Sequence, residues 1–289
     1  CLQALFKFFL IIFFPFLEIH EPIDQKKQLN IIAIADDSAC GRNALCFGEK
    51  LTEVFGATLT VVTRFGFSYE EKKQKSINPP ISQVGHLQPD GYFFPETLYR
   101  YADEENTIMF VIGVDDEDKD ALFNKRRALR FIKPSRLPVL TVGRKGPEDN
   151  AFQRVILPID IERQAKEKAL WAGYFSRFYK ATIHVLHCNY PDEGLHRQVA
   201  DNIAFVEKLY QNLEVQYQLD EVTPQPNIDH YALEYAPRVG ATLTVTMMTR
   251  YRTLGDILVG PAERKLVGNA TQFPVLCINQ RDDLYVLCT

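Results

Sequence analysis

NIIAIADDSACGRNALCFGEKLTEVFGATLTVV, residues 30 to 62, decides the fold because the chain carries it twice. RVILPIDIERQAKEKALWAGYFSRFYKATIHVL, residues 154 to 186, repeats it at an offset of 124 residues. Asp36 falls on Asp160, Phe47 on Trp171, and Ala57-Thr58 on Ala181-Thr182. The apolar runs 31–35 and 155–159 are too short for helices and suit buried parallel strands. Each is followed by an acidic turn, then by apolar residues at helical spacing: Leu45, Leu51 and Val54, or Leu170, Phe175 and Phe178. That stripe predicts a helix whose apolar side packs into a core. A second apolar strand closes each unit.

The ends of the two copies also agree. In the first, PETLYRYADEEN (95–106) suits a helix opened by proline. TIMFVIGV (107–114) follows as a strand, then a charged helix near 117–133, then LPVLTVG (137–143). In the second, DHYALEYAPRVG (229–240) suits a helix stopped by Pro237 and Gly240. It leads to ATLTVTMM (241–248), a helix near 261–270 and FPVLCIN (273–279). The middles differ: EEKKQKSINPP (70–80) is polar, whereas 197–213 reads as an amphipathic helix. GRKGPEDNAF (143–152) is the linker. Strands alternating with helices predict an α/β protein of two tandem Rossmann-like domains, 29–146 and 152–280. Each is expected to hold its own parallel sheet with helices on both faces, and the two sheets are expected to be separate.

Composition narrows the function. The net charge is −4, which argues against a nucleic-acid partner because phosphate binding needs a basic footprint. Two basic clusters, Lys72/Lys73/Lys75 and Arg126/Arg127/Arg130, read as solvated surface. The six cysteines form no CxxC pair, which fits reduced thiols and a cytoplasmic protein rather than a zinc or redox site. His184 and His187 lie three residues apart on one predicted strand, so they point to opposite faces and make a poor metal pair. No metal site is expected. Residues 1–19, CLQALFKFFLIIFFPFLEI, are strongly apolar but carry Lys7 and Pro15. Residues 1–28 read first as an extension outside the fold; a membrane anchor in 1–19 is the second reading, and the only one that brings in a membrane. The segment is expected to be dispensable for folding.

These motifs together resemble the universal stress protein family from about residue 30 to 280. The family's Val-Pro-Val-Asp signature appears as Leu157-Pro158-Ile159-Asp160 and, more weakly, as Ala33-Ile34-Ala35-Asp36. Its Gly-Ala-x-Leu appears as Gly56-Ala57-Thr58-Leu59, and its closing Pro-Val-Leu as Pro138-Val139-Leu140 and Pro274-Val275-Leu276. The resemblance implies a five-stranded parallel sheet in each half and a pairing of halves that imitates a family homodimer. It also implies an ATP site built from a carboxylate after strand one and a Gly-x2-Gly-x9-Gly-Ser/Thr loop after strand four. The matching positions are Asp36 and Gly113 in the first copy and Asp160, Arg250 and Gly260 in the second. The loops have degenerated. Met247 and Pro261 replace a glycine and an N–H donor in copy two. Asp116, Arg126 and Arg127 stand at the motif's later positions in copy one, behind an acidic run that repels phosphate. Asp36 and Asp160 are read as caps of the adjoining helices as readily as ligand contacts.

The leading expectation is therefore a stress-associated binding or regulatory protein, not an enzyme, with no catalytic residues and no cofactor. ATP is the ligand the resemblance would supply, and copy two, with Arg250 and Arg252, is its better candidate. Three motif absences argue against catalysis: no GxxxxGK[ST], no GxSxG and no metal-ligand cluster. The alternatives are an ATP-binding universal stress protein with weak nucleotide hydrolysis, and a regulatory module of a membrane transporter. Partners are expected to be proteins, a second copy included, met through the half-to-half interface or the apolar segment Leu284-Tyr285-Val286-Leu287.

Overall fold

The computed structural model describes residues 28–63, 81–86, 95–162, 165–248, 263–268 and 272–279. Residues Gln28–Gln280 form one compact unit. The first half runs β1 (Asn30–Ala35), α1 (Ala39–Phe55), β2 (Thr58–Thr63), β3 (Ile81–His86), α2 (Pro95–Glu104), β4 (Thr107–Gly113), α3 (Lys125–Ile132) and β5 (Val139–Val142). The second runs β6 (Arg154–Ile159), α4 (Ala165–Tyr179), β7 (Thr182–Cys188), α5 (Glu193–Leu213), β8 (Tyr217–Val222), α6 (Ile228–Val239), β9 (Leu243–Met248), α7 (Glu263–Gly268) and β10 (Val275–Asn279). The repeat read from the sequence is real, and each half contributes five parallel strands in the same internal order.

The expectation of two separate sheets is corrected. The strands form a single ten-stranded sheet in the order β3-β2-β1-β4-β5-β10-β9-β6-β7-β8. The equivalent edge strands of the halves, β5 and β10, pair antiparallel, with Val275 opposite Thr141 and Cys277 opposite Val139. Antiparallel pairing of equivalent strands is what a two-fold relation between the halves produces. The joint also removes two unpaired edges that would otherwise need covering. Thr141 Oγ1 donates to the Val275 carbonyl at 3.0 Å, and Asn279 Nδ2 caps the end of α3 by donating to the carbonyls of Ile132 and Ser135.

Strand alternation divides the core. Ile32, Ile34, Phe110 and Ile112 face α2, α3, α6 and α7, and this apolar layer crosses the joint, from Phe131 to Leu266 and Val275, while Ile156, Leu186, Ile228 and Ala232 form a second cluster further into the second half. The other face carries α1, α4 and α5. There the halves meet through rings: Phe152 lies 5.7 Å from Phe47, 5.2 Å from Phe175 and 5.0 Å from Tyr179. Phe152 is fully buried and holds φ +69°, an uncommon conformation for an aromatic residue that this packing maintains. Lys50 Nζ and Asn43 Nδ2 on α1 bind the linker carbonyls of Glu148 and Gly143, so the linker is clamped at both ends.

Two helix boundaries differ from the sequence reading. Pro237 does not stop α6; it sits in the last turn, and Gly240 at φ +61° caps the helix three residues later. The charged helix predicted near 117–133 is helical only from Lys125. In residues 115–124 the short carboxylates take backbone N–H groups instead: Asp115 from Glu117 and Asp118, Asp118 from Asp120, and Asp116 from Lys125. Such local bonds compete with a helix ladder.

Because one sheet spans both halves and an apolar layer crosses the joint, they should unfold together. Phe152→Ala is expected to cost about 3–5 kcal/mol and to leave a single cooperative transition in urea. Two separated transitions, in the parent or the variant, would show that the halves are independent.

Candidate functional site

In a parallel sheet of this kind ligands gather at the carboxyl ends of the strands, where the crossovers diverge to opposite faces. In the first half that point lies between β1 and β4, in the second between β6 and β9. The two sites carry corresponding carboxylates and differ in almost everything else.

Asp36 follows β1 and is buried, 3% exposed. One carboxylate oxygen accepts the N–H and hydroxyl of Ser38, the residue that caps α1. The other accepts the N–H of Leu122 at 2.6 Å. Asp36 is therefore not the cap itself. It anchors the cap and latches the loop after β4 down over the strand ends. That loop is held twice more. Phe123 bridges to Val114, and the N–H of Asp115 donates to the Phe123 carbonyl at 2.9 Å. Arg144, just past β5, binds the Asp115 carboxylate through its Nε and Nη2. Burial alone would raise the Asp115 pKa, but the bonds from Arg144 and from the N–H groups of Glu117 and Asp118 outweigh it and hold it below the usual carboxylate value. Gly113 does not face a ligand. It is buried beneath α1, and a side chain there would collide with the carbonyl of Cys40. Its role is close approach between strand and helix.

The second half lacks that close approach. Met247 stands where Gly113 stands in the first half, and Pro158 in β6 has no N–H to extend a ladder. The β1–β4 ladder runs from Asn30↔Thr107 to Ile34↔Ile112, whereas β6–β9 stops after Val155↔Leu243 and Ile156↔Thr244. Beyond that point Lys168 of α4 meets Asp229 of α6, a helix on the other face of the sheet. Their Nζ–Oδ1 distance is 3.0 Å, and Thr246 Oγ1 donates to the same oxygen at 2.8 Å. The Lys168 side chain is 3% exposed. The 124-residue offset places Ala44 at the equivalent position of the first half. A buried ammonium is tolerable only with such a partner, so the pair fills the gap that the shortened ladder leaves.

Asp160 is more open than Asp36. Among the described residues one donor reaches its carboxylate, the Tyr190 hydroxyl at 3.0 Å, while Asn202 Nδ2 donates to its backbone carbonyl at 2.6 Å. Burial first, and then the bond to Asp160, push the Tyr190 phenol well above its usual pKa, so it stays a donor at neutral pH. Arg250 and Gly260, with Arg252 and Pro261, lie outside the described residues, as do residues 1–27, the Lys72/Lys73/Lys75 cluster and Leu284–Leu287.

His184 and His187 do diverge. His184 is buried on β7 with Nδ1 2.8 Å from Asp220, and His187 is half-buried, its pKa lowered by burial. Among the described residues no cluster of histidine, cysteine and carboxylate could hold a metal ion. The sequence reading missed Leu122, Arg144, Lys168, Asp229 and Tyr190. Only Lys168 left a trace, as a lysine in register with Ala172, Phe175 and Tyr179 on the apolar stripe of α4.

Two stability outcomes follow. Lys168→Ala leaves Asp229 without its cation and is expected to cost about 3 kcal/mol, whereas Lys168→Met with Asp229→Leu should recover most of that loss. Equal losses for both, by urea titration, would refute the plug. For Asp115 the depressed folded pKa means its stabilisation is complete above the unfolded value of about 4 and disappears as the pH falls through the folded one. Asp115→Asn should cost about 1 kcal/mol at pH 7, a modest figure because Arg144 is half exposed, with the difference from the parent vanishing in acid. A pH-independent difference would mean that the carboxylate charge is irrelevant to the latch.

Among known proteins, the architecture matches solved structures over nearly the whole chain. A universal stress protein from Archaeoglobus fulgidus DSM 4304 aligns at a TM-score of 0.59 and 15% identity, covering 88% of this chain and 97% of that one. A protein of unknown function from Pseudomonas aeruginosa PAO1 also gives 0.59 at 15% identity, over 89% and 95%. A protein from Pseudomonas aeruginosa UCBPP-PA14, assigned to the universal stress proteins, gives 0.58 at 16%, over 89% and 95%. No protein-family model and no curated protein matches the sequence. At such identities the likeness is one of fold: this chain is built as a tandem pair of universal stress protein folds.

Proposed function

We propose that the chain is a stress-associated binding or regulatory protein of the cytoplasm that acts without catalysis and without a tightly held nucleotide. The observation that carries this reading is the Asp36 carboxylate. Both its oxygens are committed to the protein's own N–H groups, and the loop that would have to cradle phosphates is the one that Leu122 latches shut. A ligand entering the first half would have to break the bonds of Asp36 and Asp115 together. In the second half the crevice between β6 and β9 is occupied by the Lys168–Asp229 pair. The work of such a protein then falls to its surface and to protein partners.

One observation favours a second reading. Asp160 keeps a partly exposed carboxylate, so nucleotide binding in the second half is the alternative, with slow hydrolysis as its extension. For the transporter-module reading the structure offers nothing specific: among the described residues no helix is long and apolar enough to cross a membrane.

Calorimetry with ATP and Mg²⁺ separates the readings. The expected result is no binding in the low micromolar range, which corresponds to about −8 kcal/mol and would need well-made phosphate contacts. Phosphate release should stay at the buffer background. Micromolar binding abolished by Arg250→Ala would move the function to the second half. Abolition by Asp36→Ala would mean that the latch opens.

A further inference from the structure

The sequence around α3 has no explained role. Residues 125–136 hold Lys125, Arg126, Arg127, Arg130, Lys133 and Arg136 and no carboxylate, in a chain whose net charge is −4. The fold sets a second cationic helix beside this one. Leu266 and Val267 of α7 enter the same core as Leu129 and Ile132 of α3, and the stem of Lys125 lies against Gly268. The two helices pack across the joint between the halves, so α7 adds Arg264 and Lys265 to the same face. Arg126, Arg127, Arg130, Arg264 and Lys265 are all exposed. Among the described residues none of these five has an ion-pair partner, whereas Lys125 is tied to Asp116 at 2.9 Å.

We infer that the α3–α7 face is a docking strip for a short acidic polypeptide segment, one rich in Asp and Glu. Charge complementarity names the sign of the partner, and the predominance of arginine names its chemistry, since the guanidinium fork matches carboxylates in pairs. The shape narrows it further. The strip is two short helices wide, and the next helix, α2, exposes Glu96, Asp103 and Glu104. A bilayer or a nucleic-acid duplex is broad enough to bring its phosphates against those carboxylates; a single extended segment is not. Membrane docking also needs apolar side chains beside the cations. The large apolar residues exposed among the described ones, Phe178, Phe205 and Leu219, belong to α4, α5 and the far-edge strand β8 instead. Single-stranded nucleic acid would want exposed rings for stacking, and neither α3 nor α7 exposes one.

The proposal deepens the reading as a partner-binding protein; Arg127 also donates to the Leu122 carbonyl beside the latch, so the test uses Arg126, Arg130 and Arg264, which do not bond to Asp36 or Leu122, and it and the nucleotide titration can fail separately. The test is fluorescence anisotropy of a labelled short poly-glutamate peptide against the full chain at low ionic strength. Arg126→Glu, Arg130→Glu and Arg264→Glu together should weaken binding by at least about tenfold, while Lys208→Glu on α5 should leave it near the parental value. Added salt should weaken the parental complex. The Arg→Gln triple variant, which keeps the side-chain stems, should reproduce the loss with an unchanged thermal melt. Binding that ignores the three substitutions overturns the proposal. So does arginine-dependent binding of phosphatidylserine vesicles or of single-stranded RNA that matches or exceeds that of the peptide.

Discussion

The antiparallel pairing of β5 with β10 is the constraint on which the rest of the molecule depends. A lone five-stranded unit would leave its fifth strand as an open edge, with unpaired N–H and C=O groups and an apolar face only partly covered. Joining the two edges satisfies both at once. It also fixes which helices become neighbours. On one face α3 is set beside α7, and on the other α1 is set against α4, where Phe152 fills the seam. The linker is short and clamped by Lys50 and Asn43 because the joint leaves it little distance to cover.

Within that frame the halves have diverged through a handful of residues whose effects are cooperative. Gly113 lets α1 lie on β4, which keeps the β1–β4 ladder long and the crevice narrow. A narrow crevice suits the backbone latch from Leu122 to Asp36. Met247 and Pro158 shorten the corresponding ladder in the second half. The resulting gap is filled by Lys168, whose charge then requires Asp229. Asp229 in turn accepts from Thr246, which completes a small polar cluster inside an apolar layer. Two solutions to one packing problem thus leave both crevices occupied by the chain itself, one by backbone N–H groups and one by an ion pair.

The acidic loop 115–124 shows how local chemistry and position interact. Its carboxylates read in sequence as a helix start, since acidic residues favour a helix N-terminus. In the fold they satisfy nearby N–H groups instead, because Phe123 is drawn into the core and Asp115 has Arg144 within reach. The helix is postponed to Lys125, where Asn124 provides the cap. That postponement leaves Arg126, Arg127 and Arg130 exposed on α3, with Arg127 donating to the Leu122 carbonyl.

The sequence by itself determined the repeat, four of the five strands of each half, most helix positions and the corresponding carboxylates Asp36 and Asp160; the third strands, Ile81–His86 and Tyr217–Val222, carry too polar a pattern to be read as strands. The features so determined all follow from short-range patterns: apolar runs, helical spacing and turn residues repeated at one offset. It also marked Gly113 as unusual, though for phosphate approach rather than for helix packing. Only the tertiary structure decided that the two sheets are one, because edge pairing depends on where two strands far apart in sequence come to lie. Only it decided that Asp36 is shut by the N–H of Leu122, a group every non-proline residue carries and no sequence pattern distinguishes. The same holds for Lys168 with Asp229 and for the two helices of the cationic strip. Each is a pairing of residues distant in sequence, and its physical cause is the three-dimensional meeting of two halves that the sequence describes one at a time.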